Sequence, residues 1–124
     1  MVGWDISRKY AVFNDAQAAE LRNIDTEKAR IAIDSQRVVK QFTKEEFGMD
    51  GFDLPDPIAM AVLLSNNCIL QMRKASVDID LQAGHTRGMT IIDDRKFVER
   101  EKDTAIVLEV SRQYFVDCLE DALK

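Results

Sequence analysis

The chain has 124 residues, 46% of them hydrophobic and 31% charged, and 17 Lys and Arg against 22 Asp and Glu give a formal net charge of −5. That length supports one domain, or one piece of a larger one, with a core that needs no disulfide staples. The acidic balance argues against broad binding to nucleic acid or anionic membranes. No apolar run approaches the ~20 residues of a spanning helix, and Met1-Val2-Gly3-Trp4-Asp5 does not read as a signal peptide.

In chain order, the first dozen residues mix turn and β signals, with Gly3 and the apolar Tyr10, Val12 and Phe13. Asn14-Asp15 offers an N-cap for a short helix over 16–22, and Asp25-Thr26 starts a second that runs from 27 to about 42. Its apolar residues recur seven apart (Ile31 and Val38, Ala32 and Val39), which predicts an amphipathic surface helix. Residues 43–55 read as a loop, with Gly48, Gly51, Asp53 and Pro55 as turn formers and Phe47, Met49 and Phe52 as anchors. Asp56-Pro57 is the clearest helix start: Asp56 caps, Pro57 takes the first helical position, and the apolar run 58–64 predicts a buried helix.

The second half reads as β. Val77, Ile79 and Leu81 alternate with Asp78, Asp80 and Gln82, the period of a half-buried strand. A turn between Gly84 and Gly88 leads to a partner strand over 89–92, and 104–110 is a third strand. Ser111 caps a closing helix with Phe115, Cys118, Leu119 and Ala122 on one stripe. Cys68 and Cys118 lie in apolar helical contexts without metal partners at short spacing, which predicts two buried reduced thiols and a reducing, cytoplasmic compartment.

Few residues suggest chemistry on their own. Asp78 and Asp80 share a strand face and read as a solvated polar face rather than a metal pair. Asp93-Asp94-Arg95-Lys96 reads as a plain turn, and His85, the only histidine, as a solvent-facing turn residue without an orienting partner. No phosphate loop or dinucleotide fingerprint is present. Asp56 is the residue with two readings: a helix cap, or a carboxylate that holds a hard cation.

Leu54-Pro55-Asp56-Pro57-Ile58-Ala59-Met60-Ala61 resembles the His-Asp-Pro-Leu-Ala-Val-Ala segment of the nucleoside hydrolases, the inosine–uridine preferring N-ribohydrolases. Val77-Asp78-Ile79-Asp80 followed by Thr86-Arg87-Gly88-Met89-Thr90-Ile91-Ile92-Asp93 is similar to the family's Val-Asp-Val-Glu and Thr-Arg-Gly-Gln-Thr-Val-Val-Asp hairpin. Met1-Val2-Gly3-Trp4-Asp5 resembles the Met-Val-Gly-Leu-Asp entry to the family's last third, so the likeness runs over essentially the whole chain.

The resemblance implies an α/β fold: the C-terminal part of an open mixed sheet flanked by helices, incomplete here, with a β-hairpin and a closing helix over 1–124. It implies hydrolysis of the N-glycosidic bond of ribonucleosides to ribose and free base, with calcium as the family's cofactor and a ribonucleoside as partner. Asp56 matches the family's metal-ligating aspartate. The family's Asp-rich N-terminal motif is absent from this chain, so no catalytic residue is assigned here and tight calcium binding by this chain alone is not expected. Pro55 stands where many members carry the histidine that protonates the leaving base, and proline has no titratable group. The alternative is a non-catalytic interaction module or pseudoenzyme derived from that fold, self-associating or binding a partner chain over an exposed apolar face. Neither reading involves nucleic acid or a membrane.

Overall fold

The computed structural model describes every residue except Lys96 and Val98. Its opening segment is a helix, α1 (Trp4–Tyr10), and only then a two-residue strand, β1 (Val12–Phe13). The turn-and-β reading is thereby corrected for residues 4–10, which are helical. Gly3 is the extended N-cap, Asp5 sits in the first turn and Arg8 and Lys9 in the last, so the charges complement the helix dipole. Of the apolar residues that suggested β, Val12 and Phe13 do form β1, while Tyr10 ends the helix.

Helix α2 (Asp15–Arg22) begins as expected, with Asn14 and Gln17 forming a reciprocal capping box. Thr26 caps α3 (Glu27–Asp34) through Ala29 N–H. The single helix expected to reach residue 42 is two: α3 stops at Ser35-Gln36, and α4 (Arg37–Phe47) resumes. At the break, Ser35 Oγ donates to Ala32 O and Gln36 N–H reaches back only to Ile33 O, tightening the turn. Gly48, at φ 62°, ends α4, where the N–H groups of Gly48 and Met49 return to Lys44 O and Thr43 O.

The expected loop contains β2 (Phe52–Asp53), antiparallel to β1, with Phe13 opposite Phe52 and Val12 opposite Asp53. Gly51 makes that approach feasible. Its φ is 138°, and a Cβ there would stand 2.4 Å from Phe13 O.

Helix α5 runs Pro55–Leu64, starting earlier than the sequence suggests: Leu54 is the N-cap, so Asp56 is not. Both prolines fall in the first turn, where a missing N–H costs nothing, and Pro55 takes the leading position assigned to Pro57. Nor is the helix buried all round. Ile58 and Ala61 face the core, but Leu63 and Leu64 are 76% and 77% exposed.

A 3₁₀ turn (Asn66–Cys68) leads to β3 (Ile69–Ile79), much longer than the expected strand. It pairs antiparallel with β4 (Thr90–Asp93) and with β5 (Thr104–Val110), giving the order β4-β3-β5. Both sheets are open and no barrel closes among the described residues. Leu81 lies beyond the strand, and it and Ile79 are exposed, against the alternation that predicted a buried face. Ser111 caps α6 (Arg112–Leu123) as expected, accepting from Tyr114 N–H. Ala122 is exposed, and Leu123 takes the buried place instead.

The core sits where α1, β1, α2, α5, α6 and β5 meet. Phe13 stacks on Phe52 and meets Phe115 edge-on, with ring centres 6.4 and 6.1 Å apart. Arg112 ties α6 to this core: its guanidinium donates to Tyr10 O and Val12 O and lies 5.0 Å from the Phe13 ring centre. Cys68 is buried and Cys118 half-buried, both as free thiols, and burial pushes the Cys68 thiol pKa up. Among the described residues, no helix is long and apolar enough to cross a membrane.

Candidate functional site

A cleft of about 610 Å³ opens between α1, α4 and the start of α5. One wall comes from Gly3, Trp4, Ser7 and Arg8 of the N-terminal segment, the opposite one from Val39, Phe42, Thr43 and Phe47 of α4. Asp53, Leu54, Pro55, Asp56 and Pro57 close the third side.

Local structure places each group. The β1–β2 pairing drives Asp53 inward to 7% exposure, and its Oδ2 accepts the Trp4 indole N–H at 2.8 Å. Ser7 Oγ lies 3.2 Å from the same oxygen and 3.1 Å from Trp4 O. A buried carboxylate thus receives charge-assisted donors, as its burial requires. Thr43, buried on α4, has its hydroxyl 2.8 Å from Gly51 O, tying the helix to the turn before β2. The Arg8 guanidinium lies 4.9 Å from the Trp4 ring centre and 4.7 Å from that of Phe47, joining the two walls by cation–π contacts.

Asp56 stands at the cleft's edge in the first turn of α5, exposed. The helix N-terminus favours its negative charge without a capping bond. Pro55 precedes it, also exposed and lining the cleft. The two residues singled out in the sequence are therefore adjacent in the cleft. Among the described residues no group of three or more His, Cys, Asp or Glu is placed to hold a metal. Calcium takes six to eight oxygens, and Asp53 Oδ2 already faces two donors. The described residues therefore do not fit a calcium ion unaided.

The other candidates lie away from the cleft. Asp78 is exposed and pairs with Arg100. Asp80 caps the hairpin loop, accepting from Gln82 N–H and Thr86 Oγ, and these bonds, Thr86 first, lower its pKa below the usual carboxylate value. Asp93 is held well below that value by Arg95, whose guanidinium reaches it at 2.6 Å, and Arg73 pairs with Asp94. Lys96, the last residue of that expected turn, lies outside the described residues. His85 is exposed at the hairpin's end. Sequence reasoning misses Trp4, Arg8 and the inward role of Asp53. Once Trp4–Tyr10 is known to be helical, the i, i+4 spacing of Trp4 and Arg8 is the signal that pairs them.

A family model described as inosine-uridine preferring nucleoside hydrolase matches residues 1–117. Two curated pyrimidine-specific ribonucleoside hydrolases named RihA are similar to the chain. That of Photobacterium profundum is 27% identical over 124 residues, covering 99% of this chain and 39% of its own length. That of Shigella boydii serotype 4 is 28% identical over 125 residues, covering 100% and 40%. The chain thus spans about two-fifths of the length of the curated relatives it matches. Among solved structures, the plant nucleoside hydrolase PpNRh1 superposes with a TM-score of 0.82 at 16% identity, over 98% of this chain and 39% of that one. The purine-preferring ribonucleoside hydrolase from Gardnerella vaginalis gives 0.79 at 19%, over 99% and 38%. At those identities the superpositions establish the fold: this chain has the architecture of part of a nucleoside hydrolase.

Proposed function

The chain belongs to the inosine-uridine preferring nucleoside hydrolase family, and from that membership we propose that residues 1–124 form the C-terminal, cleft-bearing part of an enzyme that splits ribonucleosides into ribose and free base. The observation that carries this reading is the position of Leu54-Pro55-Asp56-Pro57, the segment of family likeness, on the wall of the cleft.

In this reading each wall has a task. Asp56 would be this chain's contribution to a calcium ion of the kind the family uses, which needs six to eight oxygens and which the described residues do not hold unaided. Cleavage of an N-glycosidic bond develops positive charge on the ribosyl ring and negative charge on the base. A carboxylate at the cleft's edge, free of a metal, would favour the first of these. Pro55 has no proton to give the second, so protonation of the leaving base does not come from this position. The apolar rings of α1 and α4 shield the space where the base departs.

Co-expression with the remaining three-fifths or so of a matched relative tests the reading. Ribose release from inosine or uridine, followed as reducing sugar, is expected from the paired polypeptides and from neither alone, and Asp56→Asn should abolish it. A co-purifying pair that releases no ribose counts against the hydrolase reading. An active pair indifferent to Asp56→Asn removes Asp56 from it.

A further inference from the structure

Apart from Asp56, every residue of α5 is apolar, yet only one side of the helix is covered. Ile58 and Ala61 are buried, while Met60, Leu63 and Leu64 are exposed. Asp56, Met60, Leu63 and Leu64 stand at i, i+4, i+7 and i+8, one continuous stripe along the bare side. A solvent-facing stripe ordinarily carries polar side chains. Here the one polar residue is Asp56, at the leading end. Beside the stripe, Met60 and Leu64 join Cys118, Leu119 and Ala122 of α6 in lining an apolar groove of about 130 Å³, room for about one apolar side chain. A single exposed leucine needs no explanation; an apolar stripe with a groove along it marks a surface built to be covered.

We propose that this stripe is the docking surface for the part of a nucleoside hydrolase domain that residues 1–124 do not span, a partner apolar along Met60, Leu63 and Leu64 and polar where it meets Asp56. The identity of the partner rests on the hydrolase reading; the stripe does not. Two observations choose this occupant. About three-fifths of each curated relative lies beyond the match, so the fold has that much further chain to place against this part. Among the described residues no cluster of three or more His, Cys, Asp or Glu includes Asp56, so a cover reaching the leading end of the stripe must bring polar groups to it. A second copy of this chain fits worse. Symmetric pairing through the stripe lays each Asp56 on the leucines of the other copy or against the other Asp56. The first desolvates an unpaired carboxylate, and the second sets like charges together.

Co-expression of the 124-residue chain with the remaining three-fifths or so of the Photobacterium profundum relative tests the surface. The two polypeptides should co-purify, and the chain alone should sediment as a monomer. Sedimentation of the pair on dilution should give a dissociation constant that rises about 100-fold or more in Leu63→Glu/Leu64→Glu, the cost of two leucines left unburied. Ala122→Phe, which fills the groove from α6, should weaken the pair as well. All three side chains are exposed, and circular dichroism checks that each variant folds; should the double variant not fold, Ala122→Phe decides. No co-purification, an unchanged dissociation constant in the folded variants, or a homodimer of the chain alone that Leu63→Glu/Leu64→Glu dissolves would each overturn the surface. A pair that is held through the stripe but releases no ribose upholds the surface and counts against the hydrolase reading. Ribose release that is the same with and without the double substitution at every dilution overturns the surface and leaves that reading intact.

Discussion

Removing the Asp53 carboxylate tests how the cleft wall is built. Two donors approach Oδ2, the Trp4 indole N–H and the Ser7 hydroxyl, and a hydrogen bond to a charged group contributes about 1.5–3 kcal/mol. Simple addition for Asp53→Ala therefore gives about 3–6 kcal/mol. The geometry argues for less. Ser7 has one proton and a second acceptor, Trp4 O, at 3.1 Å, so its bond is redirected rather than lost. Only the indole bond disappears, and the expected cost is about 1.5–3 kcal/mol. Asp53→Asn retains an oxygen able to accept the indole N–H and loses only the charge, so about 0.5–1.5 kcal/mol is expected. Urea unfolding measures both, and a double-mutant cycle with Trp4→Phe isolates the indole–carboxylate coupling. A loss above about 4 kcal/mol in Asp53→Ala would refute the redirection of Ser7. A coupling indistinguishable from zero would refute the bond as the anchor of Trp4.

Three further outcomes are expected. Asp56→Ala should cost at most about 0.3–1 kcal/mol in urea unfolding, the worth of an exposed charge near a helix N-terminus, and not the larger loss of a true cap. Gly51→Ala should lower stability in urea by about 1–3 kcal/mol, since its φ of 138° and the 2.4 Å approach to Phe13 O leave no room for a Cβ. The bonds at Asp80 stabilise its ionised form, so the ordering they give the hairpin loop is present above the ordinary value of 3.8 and is lost as pH falls through the lower folded value. The Asp80 carboxyl carbon, followed by NMR, should titrate below 3.8, and Thr86→Val should move its midpoint upward.

The elements most legible in the sequence are those with local signals. Asn14 with Gln17, Thr26, and Ser111 each announce a helix start because the capping bond spans three residues. Residues 104–110 read as a strand because an apolar run of that length needs no distant partner to be recognised. What the sequence hides is set by distant contacts. The start of α5 is misread because two prolines compete for one turn, and the pattern favours whichever follows an aspartate. Asp53 passes for a turn residue because only its pairing with Val12, far away in the chain, turns it inward. The cleft is illegible for the same reason, since the wall from Gly3 to Arg8 is remote in sequence from the other two.

Asp53 and Asp56 are three residues apart, and the structure gives them opposite work. Oxygens that accept hydrogen bonds direct their lone pairs at protons, and a cation competes for the same lone pairs. Asp53 Oδ2, buried and facing the indole and hydroxyl donors, is therefore a structural acceptor. Asp56, exposed on the first turn of α5, keeps its carboxylate open to the cleft. That position also works against a metal. The positive end of the α5 dipole lies beneath Asp56 and repels a divalent ion as surely as it attracts the carboxylate. One carboxylate over a helix N-terminus is too little negative charge to offset that repulsion and the dehydration of calcium together. A cation at Asp56 would therefore need most of its oxygens, and most of its compensating charge, from beyond the described residues.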